Sequence, residues 1–339
     1  MAPMSEPDGV ASRLTGMMWR DGHIVKEDIA LGEIASLAHD PTCVVWVDLL
    51  NPAPADLASI VAELGLPPTA TEDAIAPHER AKVIRHESHL FFTVYSASLA
   101  DVPDPERRGR LRTHRLSGIV LPEALVTIRI DERLDLAPIV ARWTEDRHLV
   151  KHGSATLVYD LMDVIVDGHF ETIQELDDEI ESLEDVLFEE RRTDQHFQRR
   201  VYMLRKDLVE LRRAVLPMRE VVNGLLRHQE SQEVELEAWY DDLYDHVLRA
   251  SEWTESLRDM ITSLFETNLS LQDARLNTIM KKLAGWAAII AVPTAITGWF
   301  GQNVPYPGFQ EPLGLWLSVA LTAVGVLVLY LLFKQRDWL

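Results

Sequence analysis

Asp241, Asp242, Asp245 and His246 put three carboxylates and an imidazole into one short stretch of the chain. On a helix, positions three and four apart face the same side, so Asp242, Asp245 and His246 become neighbours. Carboxylate oxygens and an imidazole nitrogen suit a divalent cation; a solvated helix face explains the same residues equally well. No catalytic constellation accompanies them. The sequence holds no P-loop, no Gly-x-Gly-x-x-Gly after a strand, no Gly-x-Ser-x-Gly and no His-Glu-x-x-His. His78, His86, His89 and His114 are scattered and read as surface or core residues rather than ligands. An enzyme is not expected, and no prosthetic group is implied.

A second pattern lies near the C-terminus. From Leu283 to Phe333 there is no Lys, Arg or Asp, and Glu311 is the only formal charge. One bilayer crossing takes about 20 residues, so the stretch suffices for two. Leu283–Phe300 and Leu313–Phe333 read as spans, broken by Gly301-Gln302-Asn303-Val304-Pro305-Tyr306-Pro307-Gly308, too rich in Gly and Pro to continue a helix. Lys281 and Lys282 precede the first span, Lys334 and Arg336 follow the second, and the loop at 301–312 has no positive residue. Both termini are therefore expected in the cytoplasm, with the short loop outside. Trp299, Tyr306, Trp316 and Trp338 fall near the interfaces, where amphipathic rings are favoured.

The first span is more than an anchor. Ala284, Ala287, Ala288, Ala291, Thr294, Ala295 and Gly298 are small and recur at helical spacings, while bulky residues fill the other side. Small faces let helix backbones approach closely in lipid. Such a face suits a tight dimer or hairpin seam; it equally suits a narrow pore lined by one helix from each of several subunits. Two helices per chain cannot enclose a pore, so transport requires a homo-oligomer.

Elements that position these residues follow from hydrophobic periodicity. No Gly or Pro interrupts the chain from Leu236 until Gly285. A helix from Leu236 to Phe300 would be roughly 100 Å long. Its apolar positions Leu243, Val247, Ala250, Leu257, Ile261, Leu264 and Leu271 follow the repeat of helices packed about a common axis. Continued onward, that register passes Asn277, Met280 or Leu283, Ala287, Ala291, Thr294 and Gly298, so the stalk seam is expected to run into the small face. Ser154–Glu190 reads as one helix with an acidic face, and Asp194–His228 as a second, kinked at Pro217. Upstream, β-type runs at Val44–Leu49, Ala81–His86, Leu90–Ser98, Leu116–Leu121 and Leu125–Ile130 alternate with helical patterns at Pro54–Leu64 and Leu134–Trp143. The expected organisation is an α/β cytoplasmic domain over 1–150, a helical hairpin over 151–235, a stalk helix over 236–282 and a two-helix transmembrane domain over 283–339.

Composition bounds the partners. Against 33 basic residues stand 54 acidic ones, a formal charge of −21, which argues against nucleic acid because phosphate binding needs a basic patch. Cations and membrane lipid are the expected partners, although a merely soluble acidic surface gives the same sum. Cys43 is the single cysteine, so neither an intramolecular disulfide nor a thiolate zinc cluster is available. Met1 to Gly16 carries Glu6 and Asp8 and no long apolar run, so no secretory signal is expected there.

Particular strings carry a family resemblance. Trp239-Tyr240-Asp241-Asp242-Leu243-Tyr244-Asp245-His246, Glu255 to Asp259, Asn277 to Met280, and Gly301-Gln302-Asn303 after the first span resemble the CorA family of divalent metal (magnesium) transporters. Leu211 to Glu220, Glu72-Asp73-Ala74 through Arg80-Ala81-Lys82-Val83, and the terminal Lys334 to Leu339 are similar too. The resemblance implies a funnel-shaped homopentamer in a bacterial plasma membrane, a channel for Mg²⁺ with Co²⁺ or Ni²⁺ as further ions. Gly301, Gln302 and Asn303 would form the pore mouth, with Asn303 meeting the hydrated ion; Asn277 and Thr294 would be polar pore positions, and Met280 and Leu283 a hydrophobic gate. Asp242 would hold an intersubunit regulatory Mg²⁺, with Asp101 as the nearest N-terminal partner. Gln302 departs from the Met usual in the magnesium branch, and the resemblance extends to ZntB-like zinc transporters coupled to protons. A non-conducting membrane-tethered scaffold or metal sensor is the reading from another class.

Overall fold

The computed structural model describes residues 12–38, 40–76, 79–102, 109–145, 152–188, 195–229, 234–302, 305–306, 308–309, 311–336 and 338. They belong to two units, one ending at Thr262 and the other running Ser263–Leu339. The first is built on a seven-stranded sheet of β1 (Arg13–Arg20), β2 (His23–Glu27), β3 (Val44–Leu50), β4 (Lys82–Arg85), β5 (Leu90–Leu99), β6 (Leu111–Leu121) and β7 (Ala124–Arg129), in the order β2-β1-β3-β7-β6-β5-β4. β3 pairs β7 in parallel and every other ladder is antiparallel.

β3 is buried at every position, as a strand covered on both faces must be, which is why it reads as an uninterrupted apolar run. Val45, Val47 and Leu49 point to a core shared with α1 (Ile34–Ala38), α2 (Pro54–Glu63) and α3 (Thr69–Ile75). Val44 and Trp46 point the other way, to a core shared with α4 (Ala137–Glu145), α5 (Ser154–Phe188), α7 (Met218–Gln229) and the start of α8 (Val234–Phe300). Alternate side chains thus feed two separate cores. Asp48 is the buried exception. Its carboxylate accepts Arg129 Nη2 at 2.6 Å and Thr127 Oγ1 at 2.7 Å, so the charge enters the sheet already paired. Cys43 is also buried, beside the Leu37 and Asp40 carbonyls, and burial pushes its thiol pKa up.

Two expectations need correction. β1 and β2 were not anticipated; they are joined at Asp21-Gly22, with φ of 52° and 74°, the Asp-Gly turn that suits a tight hairpin. The expected kinked helix is two helices, α6 (Gln195–Val215) and α7, because Pro217 opens a new turn: its carbonyl accepts the Glu220 and Val221 N–H groups at 3.0 and 3.1 Å. The outer ends expected at Glu190 and Asp194, like His78, lie outside the described residues. The expected architecture, an α/β unit followed by a long helix and a further apolar helix, α9 (Pro312–Gln335), is present.

His169 on α5 is 1% exposed and shares a hydrogen bond with the Tyr95 carbonyl on β5, 2.8 Å from Nε2, tying that helix to the sheet. Burial lowers its pKa to about 4. The folded chain therefore holds His169 neutral, while the unfolded chain protonates it below about pH 6.5. Its contribution is complete above that value and is lost as pH falls toward 4. Lowering the pH from 7 to 5 should cost about 2 kcal/mol from this residue. Thermal unfolding of the detergent-solubilised chain across that range should show a shallower decline in His169→Gln than in wild type.

Candidate ion pathway and regulatory carboxylates

Among the described residues, two helices are long and apolar enough to cross a membrane, α8 and α9, and in their most apolar windows only 11% and 0% of residues are buried. Every backbone group inside such a helix bonds within it, which is what hydrocarbon demands. α8 stays helical through Pro293, whose missing N–H removes one helical bond; the Thr297 hydroxyl donates back to the Pro293 carbonyl at 2.8 Å.

Within the second unit, α8 and α9 meet on a defined face. Gly285 and Ile289 are buried and Val292 and Ile296 half-buried, at steps of four, three and four. A Cβ on Gly325 of α9 would come within 2.9 Å of Val292 Cγ1, so glycine permits that approach. Ala287, Ala291, Thr294 and Gly298 repeat the same steps two residues later, roughly 200° around the helix. All four are exposed, and a Cβ on Gly298 would meet nothing within 4 Å. Asn277, Met280 and Leu283 are exposed as well, the last two at 63% each. The single chain thus satisfies one side of α8 and leaves the small, polar side bare.

The upper part of the helix corrects an expectation. Leu243, Val247, Ala250, Leu257, Ile261 and Leu264 are buried within the single chain, and Leu243 and Val247 join the core containing α5 and α7 residues. That stripe is used within the chain rather than around an axis shared with other copies. Exposed apolar residues on α8 begin again at Phe265 and Leu269.

Gly301 ends α8, its N–H reaching the Thr297 carbonyl at 2.9 Å, and Gln302 N–H bonds the Trp299 carbonyl at 3.3 Å. Asn303 lies outside the described residues. Around the loop, Tyr306 packs edge-on against Phe300 and Phe309 with ring centres 5.1 and 5.3 Å apart, and its hydroxyl donates to the Phe300 carbonyl at 3.3 Å. The aromatic cluster ties loop residues to the helix end that carries Gly301.

Asp242 is exposed, with Oδ2 3.7 Å from His246 Nε2; His246 Nδ1 is 4.0 Å from the buried Asp163, which pairs with Arg142 at 2.6 Å. Burial raises the Asp163 pKa, and Arg142 opposes that rise. Among the described residues no group of three or more His, Cys, Asp or Glu is arranged to hold a metal ion, so Asp242, Asp245 and His246 do not form a site within one chain. Asp101 is exposed, just beyond β5. Asp163 and Arg142 were missed in the sequence; the signal available was the i, i+3, i+7 spacing of Asp160, Asp163 and Asp167 on α5.

The family described as CorA-like Mg²⁺ transporter protein matches residues 43–335. The chain belongs to it. The CorA-like match thus reaches from β3 into the final helix. A cobalt/magnesium transport protein CorA from Thermotoga maritima is 28% identical over 310 residues, covering 88% of this chain and 85% of that protein. Its counterpart from Methanocaldococcus jannaschii is 25% identical over 329 residues, covering 94% and 98%. The complete structure of the CorA magnesium transporter from the latter organism superposes with a TM-score of 0.74 at 22% identity, over 98% of this chain and all of that one. The expected family and its metal-ion transport function are supported, and the two C-terminal helices are those of an integral membrane protein.

Gly325 and Gly298 of the CorA-like helix pair separate packing from the bare face. Gly325→Leu should lower the thermal midpoint, since its Cβ already lacks room against Val292. Gly298→Leu should leave the midpoint near wild type and reduce liposomal Mg²⁺ flux. Equal midpoints for both variants would refute the assignment of faces.

Proposed function

We propose that the chain assembles as a homopentamer in a bacterial plasma membrane, with both termini cytoplasmic. It conducts Mg²⁺, with Co²⁺ or Ni²⁺ as further ions, inward along the bare face of α8. The observation that carries this reading is the exposed run Ala287, Ala291, Thr294 and Gly298 opposite the face packed on α9. A lipid-facing surface has no need to be small and hydroxylated; a surface around a narrow aqueous path does. Gly301, Gln302 and Asn303 form the mouth, Asn277 and Thr294 supply polar rungs, and Met280 and Leu283 close the cytoplasmic end.

The chemistry suits a hydrated ion. Mg²⁺ sheds water reluctantly, so a ring of neutral carboxamides can hydrogen-bond to its hydration shell without trapping it. Membrane potential supplies the drive: at about 2.3 kcal/mol per charge for 100 mV, a divalent ion gains roughly 4.6 kcal/mol, enough for over a thousandfold accumulation. Asn303→Ala should reduce Mg²⁺ uptake into liposomes at least tenfold; unchanged uptake would remove that ring. Competition among Mg²⁺, Co²⁺ and Zn²⁺, with and without a pH gradient, identifies the ion. Proton-dependent Zn²⁺ flux would favour the ZntB-like alternative, and absence of divalent flux from an assembled oligomer the sensor alternative.

Cytoplasmic Mg²⁺ closes the channel by binding between subunits at Asp242 and Asp101. The exposure of both carboxylates supports this, since a shared ion needs ligands that face outward from each chain. Asp242→Ala should raise the Mg²⁺ concentration that half-protects the full chain from trypsin. An unaltered digestion profile would argue against Asp242.

A further inference from the structure

Asp101 follows Ala100, and the chain re-enters the sheet at Arg110 and Leu111; these residues bound the β5–β6 loop. Ala100 N–H donates to the Arg110 carbonyl at 2.9 Å, and Arg110 Nε donates to the Ala100 carbonyl at 2.9 Å, so one residue pair closes the base of the loop twice. That base is held from outside the sheet. Asp207 on α6 is buried, and its carboxylate accepts the Arg110 N–H at 3.0 Å and the Leu111 N–H at 3.2 Å. Arg110 Nη1 reaches Glu179 on α5 at 3.2 Å. A Cβ on Gly109 would collide with Asp207 Oδ1, so glycine leaves room for the carboxylate.

A carboxylate taking two backbone N–H groups is a strong, directional fastening, because charge-assisted hydrogen bonds exceed neutral ones. Nothing in the strand pairing requires it: β5 and β6 already pair from Leu90↔Val120 to Leu99↔Leu111. What the extra clamp adds is a fixed loop base directly beside Asp101, tied to α5 and α6.

We propose that Asp207 is a positioning residue for Mg²⁺ regulation, holding the β5–β6 loop base so that Asp101 is presented at a set place. The proposal rests on the reading of Asp101 and Asp242 as the regulatory pair. Residues that orient a metal ligand without touching the metal typically change affinity by about 10- to 100-fold when lost.

The test uses the full chain in detergent, digested with trypsin across a Mg²⁺ titration, with the half-protecting concentration as the readout. Asp207→Asn removes one acceptor; Gly109→Ala displaces the carboxylate without altering any charge and serves if the first variant does not fold. Each should raise the half-protecting concentration about tenfold. Asp101→Asn should raise it too, and Asp101→Asn/Asp207→Asn should shift no further than Asp101→Asn alone, because a positioning residue acts only through the group it positions. Additive shifts in the double variant overturn the proposal. So does wild-type protection in Asp207→Asn and Gly109→Ala when Asp101→Asn is impaired. If Asp101→Asn itself behaves as wild type, the regulatory reading of Asp101 fails and this proposal with it. The thermal midpoint without Mg²⁺ separates a general loss of stability from these outcomes.

Discussion

A helix satisfies its own backbone wherever it goes, and the rest of this structure depends on that property of α8. From Val234 to Phe300 the chain stays helical, Pro293 alone omitting a backbone bond, so one element serves in water and in hydrocarbon with its other peptide groups bonded internally. Only the side chains change along it. Leu236, Tyr240, Leu243 and Val247 complete a globular core. Beyond Phe265 the apolar residues turn outward, and from Gly285 the helix commits one face to α9 and leaves the opposite one bare.

Several polar groups inside the first unit bond to a partner from a different element. Asp48 and Arg129 pair between the two parallel strands. Arg115, on β6, donates to the Asp73 and Ala74 carbonyls at the end of α3, satisfying groups that a helix terminus leaves open. Tyr240 donates to the Ala155 carbonyl at 3.0 Å, joining the start of α8 to the start of α5. These bonds connect elements far apart in sequence, and breaking one strands its partner in a dry interior. They explain why the sheet carries helices on both faces without sliding registers.

Much of this was legible in the residues. β3, β5 and β7 announced themselves as β-rich runs, and the two apolar spans by length and by their lysine flanks. The stripe from Ala287 to Gly298 was legible as small, though only packing could place it opposite the face occupied by α9. Three features were not recovered. β1 and β2 lack a strong alternation, with Met17 and Met18 adjacent, although Asp21-Gly22 marked the turn. The Leu243–Leu264 stripe has the spacing of an intersubunit seam, and periodicity alone cannot say whether a copy or the chain itself covers it. Neither Asp207 nor Asp163 was singled out in the sequence; burial, which the sequence does not print, sets them apart.

Cys43 has a practical consequence. It is the chain's single thiol, and it sits 2% exposed at the edge of β3 with its pKa raised by burial. Thiolate reagents need an accessible, ionised sulfur, so the native protein already behaves as a background with little reactivity. One cysteine introduced on a solvent-facing surface, on α6 for instance, would give a symmetric assembly one addressable position per subunit. Spin labels or crosslinkers placed there could report subunit spacing without first removing the native residue and disturbing the core it fills.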